Sequence, residues 1–390
     1  MARTLKHHLL TCSVILVLAI AFQVIFFSPS PGALHIPTPS SVLSVPSNGK
    51  LQEVIKLGEG LLKQPEDVAI DKMGVVYTAT RDGYIKRLHK NGTWENWWQI
   101  ESDGLLGLTT TAAGDLIVCD ANKGLLKVGE DDAVIEASDG TLYFSVASTK
   151  FGLHNWELDV LEEKPHGELL KYDPTLNVTS IVLDHLGFAN GVALSANQDY
   201  LIVCETWKYR CLKYWLEGDI KGQTEIFIDN LPGGPDNINL APDGSFWIAL
   251  LELLPSKPRF LYTSQLSKYL IGAYPKLGKW VVGVEKKAMV VNVGSDGKII
   301  RGFDDPTGKV MAFVTSALDR AGNQAGPDRP DSSNNGSFEH LELASQELWP
   351  WVTHLPRLRK PSWIDSEIWS DVLQTVLPTA KDAWEVEHLK

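Results

Sequence analysis

Cysteine is scarce: Cys12, Cys119, Cys204 and Cys211 are the only four in 390 residues. So small a number, with no CxxC pair, excludes a disulfide framework and a cysteine-built metal site. Cys204 and Cys211 flank a short turn, where they either pair across a hairpin in an oxidising lumen or stay two buried thiols. Positive charge is short as well, since 36 Lys and Arg face 48 Asp and Glu for a formal net charge of −12. A nucleic-acid partner is therefore not expected. Helical periodicity comparable in length with the strand–turn–strand repeats is missing between Leu51 and Leu250, which points to an all-β body.

Acidic residues are absent before Glu53, and that region carries the longest apolar run, Leu9 to Phe27, interrupted only by Thr11, Cys12, Ser13 and Gln23. Its length suits a membrane-spanning helix or a long signal segment. Phe26 and Phe27 near its end, without a small-x-small cleavage site, favour an uncleaved transmembrane signal anchor over residues 9–27. Arg3 and Lys6 lie ahead of it, which predicts a cytosolic N-terminus (1–8) and a single-pass type II protein with a luminal body. The compartment is then the endomembrane system, endoplasmic reticulum or vacuole. Glycosylation sequons at Asn91, Asn177 and Asn335 all fall on the luminal side. Residues 28–50, rich in Pro and Ser, read as an extended stalk.

From Leu51 a strand–turn–strand grammar repeats. Glu66-Asp67 opens an apolar strand before the turn at Gly74, Gly107 opens another before Gly114, Asn190 another before Asn197, and Asp236-Asn237 another before Asp243-Gly244. The spacing is mostly roughly 40 to 50 residues, which is the signature of propeller blades. The alternative is a β-sandwich, whose strands recur faster. One interval, Gly114 to Gly140, is too short for a four-stranded blade, so the third repeat is shortened. Residues 261–273 have helical spacing and read as an insertion between blades. Lys309 to Ala317 reads as the first strand of a sixth repeat, but no hairpin partner follows it. The propeller thus spans 51–318 with an incomplete sixth blade, and residues 319–390 form an unmatched tail. That tail opens with a composition typical of disorder, and it holds one helix-like stretch at 365–377.

These motifs carry a resemblance. PEDVAID around Glu66, FANGVALS from Phe188, VCETWKYRCLKYWL from Val203 and GGPDNINLAPDGSFWIAL from Gly233 resemble the plant strictosidine-synthase-like family. More distantly they are similar to adipocyte plasma-membrane-associated protein and the paraoxonases. The resemblance covers roughly residues 53 to 318 and implies a six-bladed β-propeller. Independently of it, Glu66, Asn190, Asp236 and Asn237 each stand at the start of an inner-strand pattern, and such positions converge on a propeller's central tunnel. Carboxylate and amide oxygens are hard ligands that suit calcium. Each of these residues has a plainer reading as a turn or capping group.

The paraoxonase resemblance implies a catalytic calcium on Glu66, Asn190, Asp236 and Asn237, with Asp132 of the short repeat as fifth ligand. It also implies that Asp67 faces a second, structural calcium. His154 and His166 read as structural. Where the paraoxonases place a histidine base, this chain has Leu106, so a hydrolase would need another base or a metal-activated water. Three functions follow as expectations. One is a calcium-dependent hydrolase of small lipophilic esters or lactones. Another is a strictosidine synthase-type Pictet–Spengler condensation of an amine with an aldehyde. The last is a non-catalytic, membrane-tethered binding propeller or an inactive product.

Overall fold

A computed structural model describes residues 13–22, 42–89, 91–111, 114–128, 140–162, 164–252, 286–319 and 341–345, with a few isolated positions. Among the described residues, twenty strands form six antiparallel sheets. The first is β1 (Val68–Ile70), β2 (Val76–Ala79), β3 (Tyr84–Leu88) and β4 (Trp94–Gln99) in that order. The second holds β5 (Leu105–Thr110), β6 (Leu116–Asp120) and β7 (Gly124–Val128). The third holds β8 (Leu142–Val146), β9 (Gly167–Asp173) and β10 (Val178–Leu186). The fourth runs through β11 (Ala189–Leu194), β12 (Tyr200–Glu205), β13 (Arg210–Trp215) and β14 (Thr224–Ile228). The fifth runs through β15 (Gly234–Leu240), β16 (Phe246–Leu251), β17 (Ala288–Val293) and β18 (Ile299–Asp305). The sixth pairs only β19 (Val314–Asp319) with β20 (Leu341–Ser345).

This is a β-propeller, with one correction to the expected count. The described residues form five blades of three or four strands, not six, and the sixth sheet is a two-stranded ladder. A second correction concerns β19, which does have a hairpin partner. That partner is β20, beyond residues 320–340, with Val314 opposite Ser345 and Asp319 opposite Leu341. The second and third sheets each show three strands among the described residues, and residues 129–139 of the short Gly114–Gly140 interval lie outside them.

Middle strands have continuous apolar runs because each blade is covered on both faces by its neighbours. All six residues of β12 are buried, as are the first five of β16. The core is correspondingly divided into layers between blades. Ile202, Ile238, Phe246, Ile248 and Val291 fill the space between the fourth and fifth, and Ala79, Ile85, Leu105 and Leu116 that between the first and second. Burying each such side chain contributes about 1.5–3 kcal/mol. The outermost strands β4 and β10 are largely half-buried or exposed, as sheet edges in water must be.

Of the stalk expected over 28–50, residues 28–41 lie outside the described residues. Residues 42–49 run along the fifth blade: Leu43 N–H donates to Asn230 O at 2.8 Å, and Asn48 and Gly49 N–H both donate to Asp304 Oδ1 at 2.9 and 2.8 Å. Leu51 is then fully buried beside Trp247, Ala249 and Val314. Cys204 and Cys211 face each other across β12 and β13 and form a disulfide, which decides between the two readings of that pair. Asn91 and Asn177 are exposed in turns. Of the apolar run 9–27, residues 13–22 are described and helical, with Val14, Ile15, Leu16, Val17, Leu18 and Phe22 exposed. Among the described residues no helix is long and apolar enough to cross a membrane. The insertion at 261–273 lies almost wholly outside the described residues, and Asn335 and the segment 348–390 lie entirely outside them.

Candidate functional site

The inner strands share one local device. In β5, β11, β15 and β19 the pairing with the next strand skips, at Leu106-Gly107, Asn190-Gly191, Asp236-Asn237 and Thr315 respectively. A β-bulge of this kind releases a residue from the ladder and re-aims its side chain, and here the released residues stand at the propeller axis. Glu66 and Asp67 do the same by preceding β1, whose pairing begins at Val68. The chain also enters three of these strands through a left-handed residue two positions earlier, Gln64, Phe188 and Phe313. That conformation is costly for a non-glycine residue and fixes the entry direction. Gly191 is obligatory for another reason. A Cβ there would stand 2.6 Å from Asp236 O and closer still to Ile238 N, so only glycine lets the fourth and fifth blades meet at the axis.

Four of the expected residues are thereby brought together. Asn237 Nδ2 donates to Glu66 Oε1 at 3.0 Å, and Asn190 Nδ2 donates to Asp236 Oδ1 at 2.6 Å and to Thr206 Oγ1 at 3.3 Å. Thr206 Oγ1 in turn donates to Pro235 O at 2.8 Å, tying the same two blades. These bonds use the amide hydrogens and leave the amide oxygens of Asn190 and Asn237 without a protein donor among the described residues. Glu66 Oε2 is buried with no hydrogen-bond partner. A buried carboxylate oxygen without a donor is costly, and carboxylate and amide oxygens are the donor type that suits a hard cation.

The electrostatics agree. Glu66 is pushed up to about 8, first by burial and then by the charges of Asp236 and Asp67. Asp236 is pushed up to about 7, again by burial first and then by Asp67, with the Asn190 bond and Arg81 acting the other way. Two carboxylates sharing a dry space hold protons unless a cation is supplied.

Asp67 is placed differently. Its Oδ1 accepts from Val68 N–H at 2.8 Å and its Oδ2 from Leu108 N–H at 3.0 Å, and Ser316 donates to it as well. Burial still raises it. Asp132 lies outside the described residues. Leu106 occupies its bulge and offers no base. His154 pairs with Asp103 at 3.1 Å on the exposed surface, and His166 contacts Glu162 at 3.4 Å. Among the described residues no group of three His, Cys, Asp or Glu is arranged to hold a metal, since half of the axial donors are amides.

Three neighbours went unseen in the sequence. Thr315 is the sixth sheet's axial residue, donating to Glu66 O at 2.6 Å. Cys119 stands near Glu66 and Asp67, and burial, aided by their charges, pushes its thiol up to about 12, so it stays protonated. Arg81, in the turn between β2 and β3, lies within electrostatic reach of Glu66, Asp236, Asp103 and Asp120.

Fold and site together define a β-propeller with an oxygen-lined axial centre. Family models for strictosidine synthase and for the strictosidine synthase-like N-terminal region match residues 131–219 and 46–88. Protein strictosidine synthase-like 4 of Arabidopsis thaliana is 33% identical over 369 residues, 87% of this chain and 92% of that protein. The chain belongs to the strictosidine synthase-like family. Bovine (Bos taurus) adipocyte plasma membrane-associated protein is 28% identical over 317 residues, 71% of this chain and 76% of that protein. A solved gluconolactonase structure from Xanthomonas campestris superposes with TM-score 0.46 at 15% identity, over 66% of this chain and 79% of that one.

Proposed function

We propose that this propeller is a calcium-dependent hydrolase of small lipophilic esters or lactones. The observation that carries the reading is the unpartnered, buried Glu66 Oε2, within electrostatic reach of Asp236, with the Asn237 and Asn190 amides bonded to these same two carboxylates. Glu66, Asn190, Asp236 and Asn237 would hold the ion, which when bound supplies a Lewis acid that polarises a substrate carbonyl. The chain's own residues prepare that centre. The two amides anchor the two carboxylates through N–H bonds, Thr206 fixes the Asn190 amide, and the bulges keep Asn190, Asp236 and Asn237 off the sheet ladders while Glu66 precedes β1. Asp132 remains a proposed fifth ligand, and Asp67 a proposed ligand of a second ion.

The test is a calcium titration of the full chain by calorimetry, alongside an ester and lactone panel with and without chelator. Asn237→Ala is expected to lose both calcium binding and turnover. Undiminished turnover in that variant would overturn the reading. A second reading, metal-independent condensation of an amine with an aldehyde, is favoured by Glu66 itself. A carboxyl held near 8 without a cation is suited to general acid–base work at neutral pH. Chelator-insensitive condensation of tryptamine with an aldehyde would support it. A folded chain inactive on both panels would instead support a binding propeller.

We further propose that residues 9–27 tether the propeller to an endomembrane with its body in the lumen. The disulfide Cys204–Cys211 suits an oxidising compartment, and the exposed Asn91 and Asn177 are accessible for glycosylation. A mobility shift on glycosidase treatment, lost on replacing Asn91, Asn177 and Asn335 together, is the outcome expected.

A further inference from the structure

Arg81 is the one cation among the described residues within electrostatic reach of both axial carboxylates, Glu66 and Asp236. Its backbone is anchored by Arg81 N–H donating to Lys63 O at 2.9 Å, in the turn that stands over the start of β1. Its guanidinium nevertheless makes no ion pair or side-chain hydrogen bond among the described residues, and Nη1 is buried without a partner. Glu66 Oε2 is also buried and unpartnered. A structural arginine in a bed of carboxylates forms a fork with one of them, because a sealed N–H left unpaired is costly. Arg81 does not, although Glu66, Asp236, Asp103 and Asp120 all lie within electrostatic reach of it. A buried guanidinium N–H within reach of four acids, and paired with none of them among the described residues, is placed for an oxygen that arrives from outside the chain.

We propose that Arg81 is the recognition group for a carboxyl oxygen of the ligand, receiving the ester or lactone carbonyl and, after hydrolysis, the product carboxylate. The inference rests on the hydrolase reading and narrows its ligand to a lipophilic carboxylic acid or its ester. The planar fork of guanidinium matches a carboxylate bidentately, whereas a lysine supplies charge without that fit. The product, a full anion, is accordingly held more tightly than the neutral substrate.

The test is binding of hexanoate to the full-length protein, followed by calorimetry at fixed calcium and again in chelator, for the wild type, Arg81→Met and Arg81→Lys. Arg81→Met is expected to weaken hexanoate at least tenfold, and Arg81→Lys to recover only part of the loss. Calcium affinity in Arg81→Met should be unchanged or tighter, since a like charge has been removed from beside the ion. Equal hexanoate affinity in wild type and Arg81→Met overturns the proposal. So does a parallel loss of calcium binding and melting temperature in both variants, which would make Arg81 a structural countercharge. Failure of the hydrolase reading is separately visible, as a wild type that binds hexanoate through Arg81 but shows neither calcium binding nor turnover.

Discussion

Glu66 and Asp236 retain protons far above the ordinary carboxylate range, and that sets the sign of their effect on stability. Without a cation the native state keeps protons that the unfolded chain has already released. Their contribution is therefore greatest at low pH and is lost as pH rises through 7 and 8. We expect the melting temperature in chelator to fall between about pH 5 and pH 8, and saturating calcium to flatten that slope, because the ion replaces the protons. Scanning fluorimetry across that range checks it, and a flat chelated curve would mean the two groups do not share one space. Glu66, Asn190, Asp236 and Asn237 were legible in the sequence, because a polar residue opening an apolar strand is anomalous. Arg81 was not, since Arg81-Asp82-Gly83 reads as an ordinary turn. Thr315 was hidden by the ease with which threonine sits in strands.

At the level of single elements, the bulged inner strand is what turns a sheet into a site. Gly191→Ala tests this directly, because the added methyl must push Asp236 O and Ile238 N away or move β11. We expect a loss of about 1–3 kcal/mol in urea unfolding, the usual range for overpacking. Weakened calcium binding should accompany it, whereas a purely local strain would leave the titration intact. The hairpins themselves could be read from turns such as Asp243-Gly244. The bulges could not, for a slip of one residue in register leaves no trace in composition. β20 escaped notice because five residues beyond a long polar stretch carry too little periodicity to announce a strand. The cross-strand position of Cys204 and Cys211 needed the register of β12 on β13 before a pair could be told from two free thiols.

On the scale of the whole molecule, the propeller is held by its own N-terminal strap. Leu51 is fully buried against the fifth and sixth sheets, and the preceding residues bond Asn230, Gly302 and Asp304. Leu51→Ala should cost about 2–5 kcal/mol, as other large-to-small core changes do. Equilibrium urea unfolding measures it, and an unchanged midpoint would show that the strap is not part of the cooperative unit. The repeat made the architecture legible, while the strap was missed because its Pro and Ser content suggested a free stalk. The contact that joins the ends of the ring runs from Thr315 to Glu66 O, across 249 positions of chain. During synthesis at about 5–20 residues per second, Glu66 therefore waits on the order of 12–50 s for the strand that completes its surroundings. The first blade must survive that interval with an open flank. The four axial donors are all in the chain once Asn237 is made, so a bound ion can hold blades already formed ahead of ring closure but cannot guide the first of them.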